Sequence, residues 1–302
     1  MNSENIKIAG GYTLICLLWG STWLFIRLGL NSLNPVFSAG FRFAIAALVL
    51  LVIIKLRRAK LVLDKTAVLL YTAMGFFMFV FPLGFVYWAE QHISSGLTSV
   101  LFTVFPLFVL VFSRMFNVSK TINPYQVTGI ILGIIGVVII FIEDISLKGE
   151  NIIIAMGLVL ISATLQALMQ VFIKKYGDHL NPMSMNFIPL LLAGSVMVIT
   201  SLFIEDFSKN NFDVNAFISV GYLAVFGTIF TFTTYFWLLK KINIVILSLS
   251  SFIEPIIALF IGWLVIDESL TFQAFVGSSL VLIGIIFANF RSLINYLYVA
   301  RK

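Results

Sequence analysis

Ten separate apolar runs of about twenty residues each, divided by short polar breaks, leave this chain few folds to choose from. Wound as a helix, a run of that length matches the thickness of a bilayer's hydrocarbon core. No water is there to satisfy backbone N–H and C=O groups, so each segment must satisfy its own, which a helix does. The runs fall at 8–27, 35–54, 66–89, 94–116, 124–142, 151–173, 182–204, 214–239, 244–266 and 271–290. The chain is 61% hydrophobic and 11% charged, whereas soluble domains run at about 45–50% and 25%. The expected fold is therefore an all-α membrane protein of ten transmembrane helices. It has the lipid bilayer as its solvent and no room for a sizeable soluble domain. The first run is too long for a signal-peptide core and lacks a small-residue cleavage site, so it is read as retained.

Charge sets the orientation. With the N-terminus in the cytoplasm, fifteen of the nineteen basic residues fall in cytoplasmic segments. They include Lys55, Arg57, Arg58, Lys60 and Lys65, then Lys174, Lys175, Lys240 and Lys241, and the tail with Arg291, Arg301 and Lys302. Most acids fall opposite. The positive-inside rule thus supports ten spans with both termini cytoplasmic, in the cytoplasmic (inner) membrane. The net charge of +6 is a topology signal and no pointer to nucleic acid.

The sequence also echoes itself. Leu33-Asn34-Pro35 and Leu180-Asn181-Pro182 stand 147 apart, as do Arg27 and Lys174. Trp88 and Trp237, like Pro106 and Pro255, are separated by 149. Gly129 and Gly136 answer Gly277 and Gly284 at 148. A nearly constant offset over several spans predicts two five-helix repeats, 1–145 and 150–290, followed by a short basic tail, 291–302. Five is odd, so the second copy enters from the opposite face. Inverted repeats of this kind commonly serve alternating access to a site near the midplane.

Few residues in the spans carry chemistry. Glu254 lies ~15 Å into its helix, close to the midplane, and a carboxylate is costly there. It is either a site for a substrate ammonium or a proton, or a structural acid bonded to Ser248, Ser250 and Ser251. Pro255 and Pro106 remove backbone hydrogen bonds and are expected to kink their helices beside a central cavity. Arg42, ~12 Å into the second run, would receive a substrate carboxylate, pair with another residue, or snorkel outward. Trp19, Ser21 and Thr22 lie near mid-depth in the first run and either wall a pocket or pack closely. Ser162, Gln166 and Gln170 share a face of the sixth run and are read as cavity lining. Ser251 and Thr231 are further lining candidates, whereas Tyr87, Trp88 and Trp237 read as interfacial anchors. Gly129, Gly136, Gly277 and Gly284 form small-residue seams, within one protomer or between two. Most of the 31 phenylalanines are expected to meet lipid.

Several functions find no support. One cysteine, Cys16, excludes an intrachain disulfide. With His92 and His179 in separate turns, no zinc site is expected. There is no phosphate-binding loop, metalloprotease helix or nucleophile elbow, and no potassium-type filter. No cofactor, metal or catalytic residue is expected. An enzyme pairing Glu254 with His92 fails on depth, since one belongs at the midplane and the other at the outer surface.

Trp19-Gly20, Arg42-Phe43 and Pro106, then Glu254-Pro255, Gly262, Glu268-Ser269-Leu270-Thr271, Gln273, Gly277 and Gly284, resemble the drug/metabolite transporter superfamily, specifically its EamA-type permeases. The likeness spans nearly the whole chain and is tightest from 251 to 289. The first half departs from it, with Phe105 before its fourth-helix proline instead of an acid. The resemblance implies ten helices in two inverted halves, a central cavity, and export of small metabolites such as amino acids. The expected function is thus a secondary transporter for a small-molecule substrate, with a second copy of the chain as a candidate partner. A channel-like or sensor membrane protein for small molecules is the alternative.

Overall fold

Helices account for the regular structure throughout the computed structural model, which describes residues 3–93, 95–119, 124–141, 151–266 and 272–288. The Glu268-Ser269-Leu270-Thr271 segment and the tail 291–302 lie outside the described residues, as do the acids Glu143 and Asp144. Among the described residues, six helices are long and apolar enough, by length and composition, to cross a membrane. They are α1 (Ser3–Leu30), α2 (Pro35–Arg57), α3 (Lys65–Ala89), α7 (Ile152–Tyr176), α8 (Pro182–Ile204) and α9 (Val214–Lys241).

The other four expected spans are shorter or broken. The run 94–116 divides into α4 (Ser95–Phe102) and α5 (Phe105–Met115), and the run 244–266 into α10 (Ile244–Ser248) and α11 (Ser250–Ile266). α6 (Pro124–Phe141) and α12 (Phe272–Ala288) cover the remaining two. Both breaks lie on the N-terminal side of a proline. Pro106 sits in the first turn of α5, where its missing N–H costs nothing. Pro255 lies inside α11 and leaves the Ser251 carbonyl without an intrahelical donor.

Capping chemistry explains the long helices' starts. Asn34 and Asn181 each precede a proline at the first helical position, and the Asn181 side chain accepts from the Ser184 N–H. Asp64 and Asp213 cap α3 and α9 in the same manner. Within α3 and α9, a wider π turn interrupts the helix, at Gly75–Val80 and Val225–Phe230. Such turns often mark functional positions.

Several contacts come in pairs. α1 packs on α9 and α11, while α7 packs on α3 and α5. Arg27 donates to the Glu90 main-chain carbonyl, and Lys174 to that of Leu239. The Asn34 amide donates to the Asp206 carbonyl, and that of Asn181 to the Lys60 carbonyl.

The tightest seam joins α6 to α12, and both belong to the same protomer. A Cβ added at Gly136 would sit 2.6 Å from the Gly277 carbonyl oxygen and 2.8 Å from the Val281 nitrogen, and Gly129 abuts Gly284 and Ala288 as closely. The glycines thus bring two backbones into direct contact, as small residues do between membrane helices. Gly40 and Gly194 do the same for α2 against α8. Overpacking typically costs about 1–3 kcal/mol, and here backbone atoms leave no side chain to swing aside. Gly136→Val is therefore expected to lose most of its monodisperse yield on size exclusion in mild detergent. A wild-type profile and melting temperature would show the seam to be slack.

Candidate functional site

Helices from both ends of the sequence line a partly open cavity, a concave place of the kind small-molecule sites occupy. Its wall is mostly apolar and aromatic. Trp19 and Trp23 come from α1, Phe102 and Phe105 from the break between α4 and α5, and Phe232 and Tyr235 from α9. Trp19 meets Phe232 edge-on at 5.5 Å and Tyr235 at 5.1 Å between ring centroids. Such interlocked rings fix a wall at little entropic cost.

Two ionisable side chains of opposite sign join this wall, Arg42 and Glu254. Arg42 is 3% exposed. Its Nε donates to the Thr228 hydroxyl at 2.8 Å, Nη2 to the Gly227 carbonyl at 3.0 Å, and Nη1 to the Tyr87 hydroxyl at 3.2 Å. Two of the three acceptors belong to the π turn of α9. All three are neutral, and among the described residues no carboxylate lies within ion-pair distance of the guanidinium. A planar fork held this way presents a fixed cation suited to a carboxylate. Arg42 therefore does not snorkel. The bonds to α9 hold it inward.

Glu254, 6% exposed, lies at a close approach of α1 and α11. A Cβ added at Gly20 would sit 2.6 Å from the Ile257 side chain and 3.1 Å from the Glu254 carbonyl oxygen. The expected serine support for Glu254 is absent. Ser248 donates to the Val245 carbonyl and Ser251 to the Ser248 carbonyl, because hydroxyls in a helix bond back to the preceding turn. The Trp23 indole N–H faces the carboxylate without reaching hydrogen-bond geometry, and it has no other acceptor. An unmet donor beside an unmet acceptor leaves polar capacity for a ligand.

The expected lining residues divide. Trp19, Thr22, Gln166, Ser251 and Glu254 line the cavity. Ser21 does not, since its hydroxyl pairs with Tyr222 on α9 at 2.6 Å. Ser162 donates to the Pro82 carbonyl and receives Gln166 Nε2, and Thr231 bonds back to Phe226 inside the π turn. Gln170 is buried beyond the cavity with both ends of its amide unpartnered. Tyr87, expected as an interfacial anchor, is fully buried and holds Arg42. Glu90, in the polar break between the third and fourth runs, is also fully buried. Phe43, Phe79, Phe236 and Phe252 are core residues, not lipid-facing ones. No periodicity marked Gly227 and Thr228, because their role depends on a π turn that sequence spacing does not announce.

A family model for the EamA-like transporter family matches residues 10–142 and again 153–290. The chain is similar to an uncharacterized transporter of Bacillus subtilis, YoaV, at 28% identity over 94% of this chain and 97% of the relative. An uncharacterized transporter of Archaeoglobus fulgidus is 30% identical over 90% and 95% of the two chains. The inner membrane transporter YedA of Escherichia coli is 29% identical over 85% and 82%. One solved crystal structure superposes with a TM-score of 0.77 at 15% identity, covering 94% of this chain and 98% of the other, which speaks to the fold alone. A sequence matched by the family model along nearly its whole length, folded into long apolar helices around an aromatic cavity, belongs to the EamA-like transporter family and is a multi-pass membrane transporter.

Proposed function

We propose that this transporter exports amino acids, or closely related zwitterionic metabolites, across the cytoplasmic membrane by alternating access. The carrying observation is the placement of Arg42 and Glu254 on one aromatic cavity, neither with an oppositely charged partner among the described residues. A zwitterion offers a carboxylate to the guanidinium and an ammonium to the carboxylate, while the rings take an apolar side chain. Glu254 would hold the ammonium or a proton in turn, so that solute and proton exchange on one group. Tyr87, Thr228 and Gly227 orient the receiving fork.

Alternating access requires two bodies that rock about the site. The halves 1–145 and 150–290, related as inverted repeats in ten spans, would supply them. The paired contacts support this: α1 on α9 and α11 answers α7 on α3 and α5, and Arg27 to Glu90 answers Lys174 to Leu239. The two π turns, at similar places in the third helix of each half, support it as well. Cytoplasmic termini follow from the distribution of basic residues.

Purified protein in liposomes preloaded with single amino acids is expected to exchange at least one of them for its radiolabelled form, and to leave inorganic ions and uncharged sugars unmoved. A folded protein that exchanges none of a full amino-acid panel refutes this reading.

A further inference from the structure

Glu90 stands apart from the cavity, one residue past the end of α3. Its side chain is fully buried, and neither carboxylate oxygen has a hydrogen-bond partner. Arg27 of α1 is near enough to pair with it, yet Nη1 is spent on Glu90's own main-chain carbonyl at 2.6 Å. That bond meets a helix-end carbonyl with a cation, as helix C-termini favour. The second half makes the same arrangement without an acid. Lys174, 147 positions after Arg27, donates to the main chain of Leu239, 149 positions after Glu90. Leu239 is 1% exposed. An apolar side chain therefore satisfies this position structurally, and a buried unpaired carboxylate, costly in itself, answers some other need.

The surroundings carry little charge. Arg27 is the ionisable group facing Glu90 from α1. Tyr87 and His92 lie on its own segment, with the His92 ring packed on Trp88 at 4.3 Å. From α2 comes Arg42, reached through the Tyr87 hydroxyl. Among the described residues α4 and α8 offer no ionisable group, and those of α7 (Lys174, Lys175 and Tyr176) are at its far end. The turn packs on the first turns of α7 through Ala89, Ile93, Ile152 and Ala155. Burial pushes the Glu90 carboxyl up to about 8, and Arg27 pulls it part of the way back. The Tyr87 hydroxyl, which accepts from Arg42 at the cavity, also lies within electrostatic reach of Glu90.

We propose that Glu90 is a proton-binding site separate from the cavity, occupied in this conformation and emptied in another in which the ionised carboxylate takes the Arg27 guanidinium. The proton passes between a carboxyl oxygen and water, and no other bond changes. Because the folded state holds the proton more tightly than the unfolded chain, the wild type loses stability as pH rises from the ordinary carboxylate range to about 8. A glutamine at this position does not titrate.

The test uses the full chain in lipid nanodiscs and needs no substrate, so its outcome is independent of the amino-acid reading. Hydrogen exchange, corrected for intrinsic rates, is followed in wild type and Glu90→Gln from roughly pH 6 to roughly pH 9, bracketing the raised carboxyl. Wild type is expected to lose protection about tenfold or more at 89–93 and at the cavity's π turn, Val225–Phe230, with melting temperature falling in step. Glu90→Gln keeps its low-pH pattern throughout. Identical responses in the two proteins overturn the proposal, and so does a response confined to 89–93, as a merely structural acid would give. Glutamine is the isostere of the protonated acid, so a Glu90→Gln chain that fails to fold also overturns it.

Discussion

Arg42→Met is expected to fold as well as wild type and to lose a hundredfold or more in affinity for solutes bearing a carboxylate. The two effects separate because they rest on different terms. A guanidinium 3% exposed carries a desolvation cost of several kcal/mol, which three neutral acceptors repay only in part. With no ionic partner to strand among the described residues, an apolar side chain of similar volume removes that cost and leaves no buried charge behind. Thr228 keeps its own bond to the Leu223 carbonyl at 2.8 Å, so methionine strands few partners. Binding behaves oppositely. Removing one member of a buried charge pair costs about 2–5 kcal/mol, and each 1.4 kcal/mol is tenfold. Amino acids and the amines lacking their carboxylates, compared by binding-induced thermal shift, read the difference directly. Wild type should prefer the acids, and Arg42→Met should not distinguish them. Arg42→Lys should fall near the methionine variant, since an ammonium cannot hold Thr228, Gly227 and Tyr87 at once while facing a solute. A methionine variant that keeps the preference would remove Arg42 from the site.

The features that sequence made plain are those that repeat. Apolar run length gave the membrane class, and the offset echo led to the pairing of Arg27 with one helix end and Lys174 with another. Glycine spacing found the seam between α6 and α12 but not that between α2 and α8, where Gly40 and Gly194 lie on different turns of unlike sequence. Helical phase was the main source of error at the site. Ser21 and Thr22 are adjacent, yet about 100° of rotation per residue sends one toward Tyr222 and the other into the cavity. The π turn of α9 shifts that phase again and brings Gly227 and Thr228 to Arg42. Glu90 follows the last apolar residue of its run, so hydropathy alone does not mark it as buried. Its depth comes from the turn folding back on α7, a contact between residues some sixty positions apart in the chain that local hydropathy does not contain.

Glu254→Gln should abolish uptake driven by a pH gradient, at least tenfold below wild type, while solute-for-solute exchange persists with a raised half-saturation concentration. Glutamine keeps the size and one acceptor oxygen of the acid but cannot ionise or release a proton. A gradient performs work only if the group that accepts the proton on one face yields it on the other, so an uncharged isostere uncouples. Exchange needs no net proton movement. It needs the cavity to close over a solute and reopen, and Arg42, Trp19, Phe232 and Tyr235 remain to hold one. The weakened ammonium contact reads out as half-saturation, since a hydrogen bond to a charged acceptor contributes about 1.5–3 kcal/mol against about 1 for a neutral one. The close contact of Gly20 with the Ile257 side chain and the Glu254 main chain is untouched, so the variant should express and melt as wild type does. Loss of folded protein would mark the carboxylate as structural. Full gradient-driven accumulation by a folded Glu254→Gln would place the coupling proton elsewhere in the molecule.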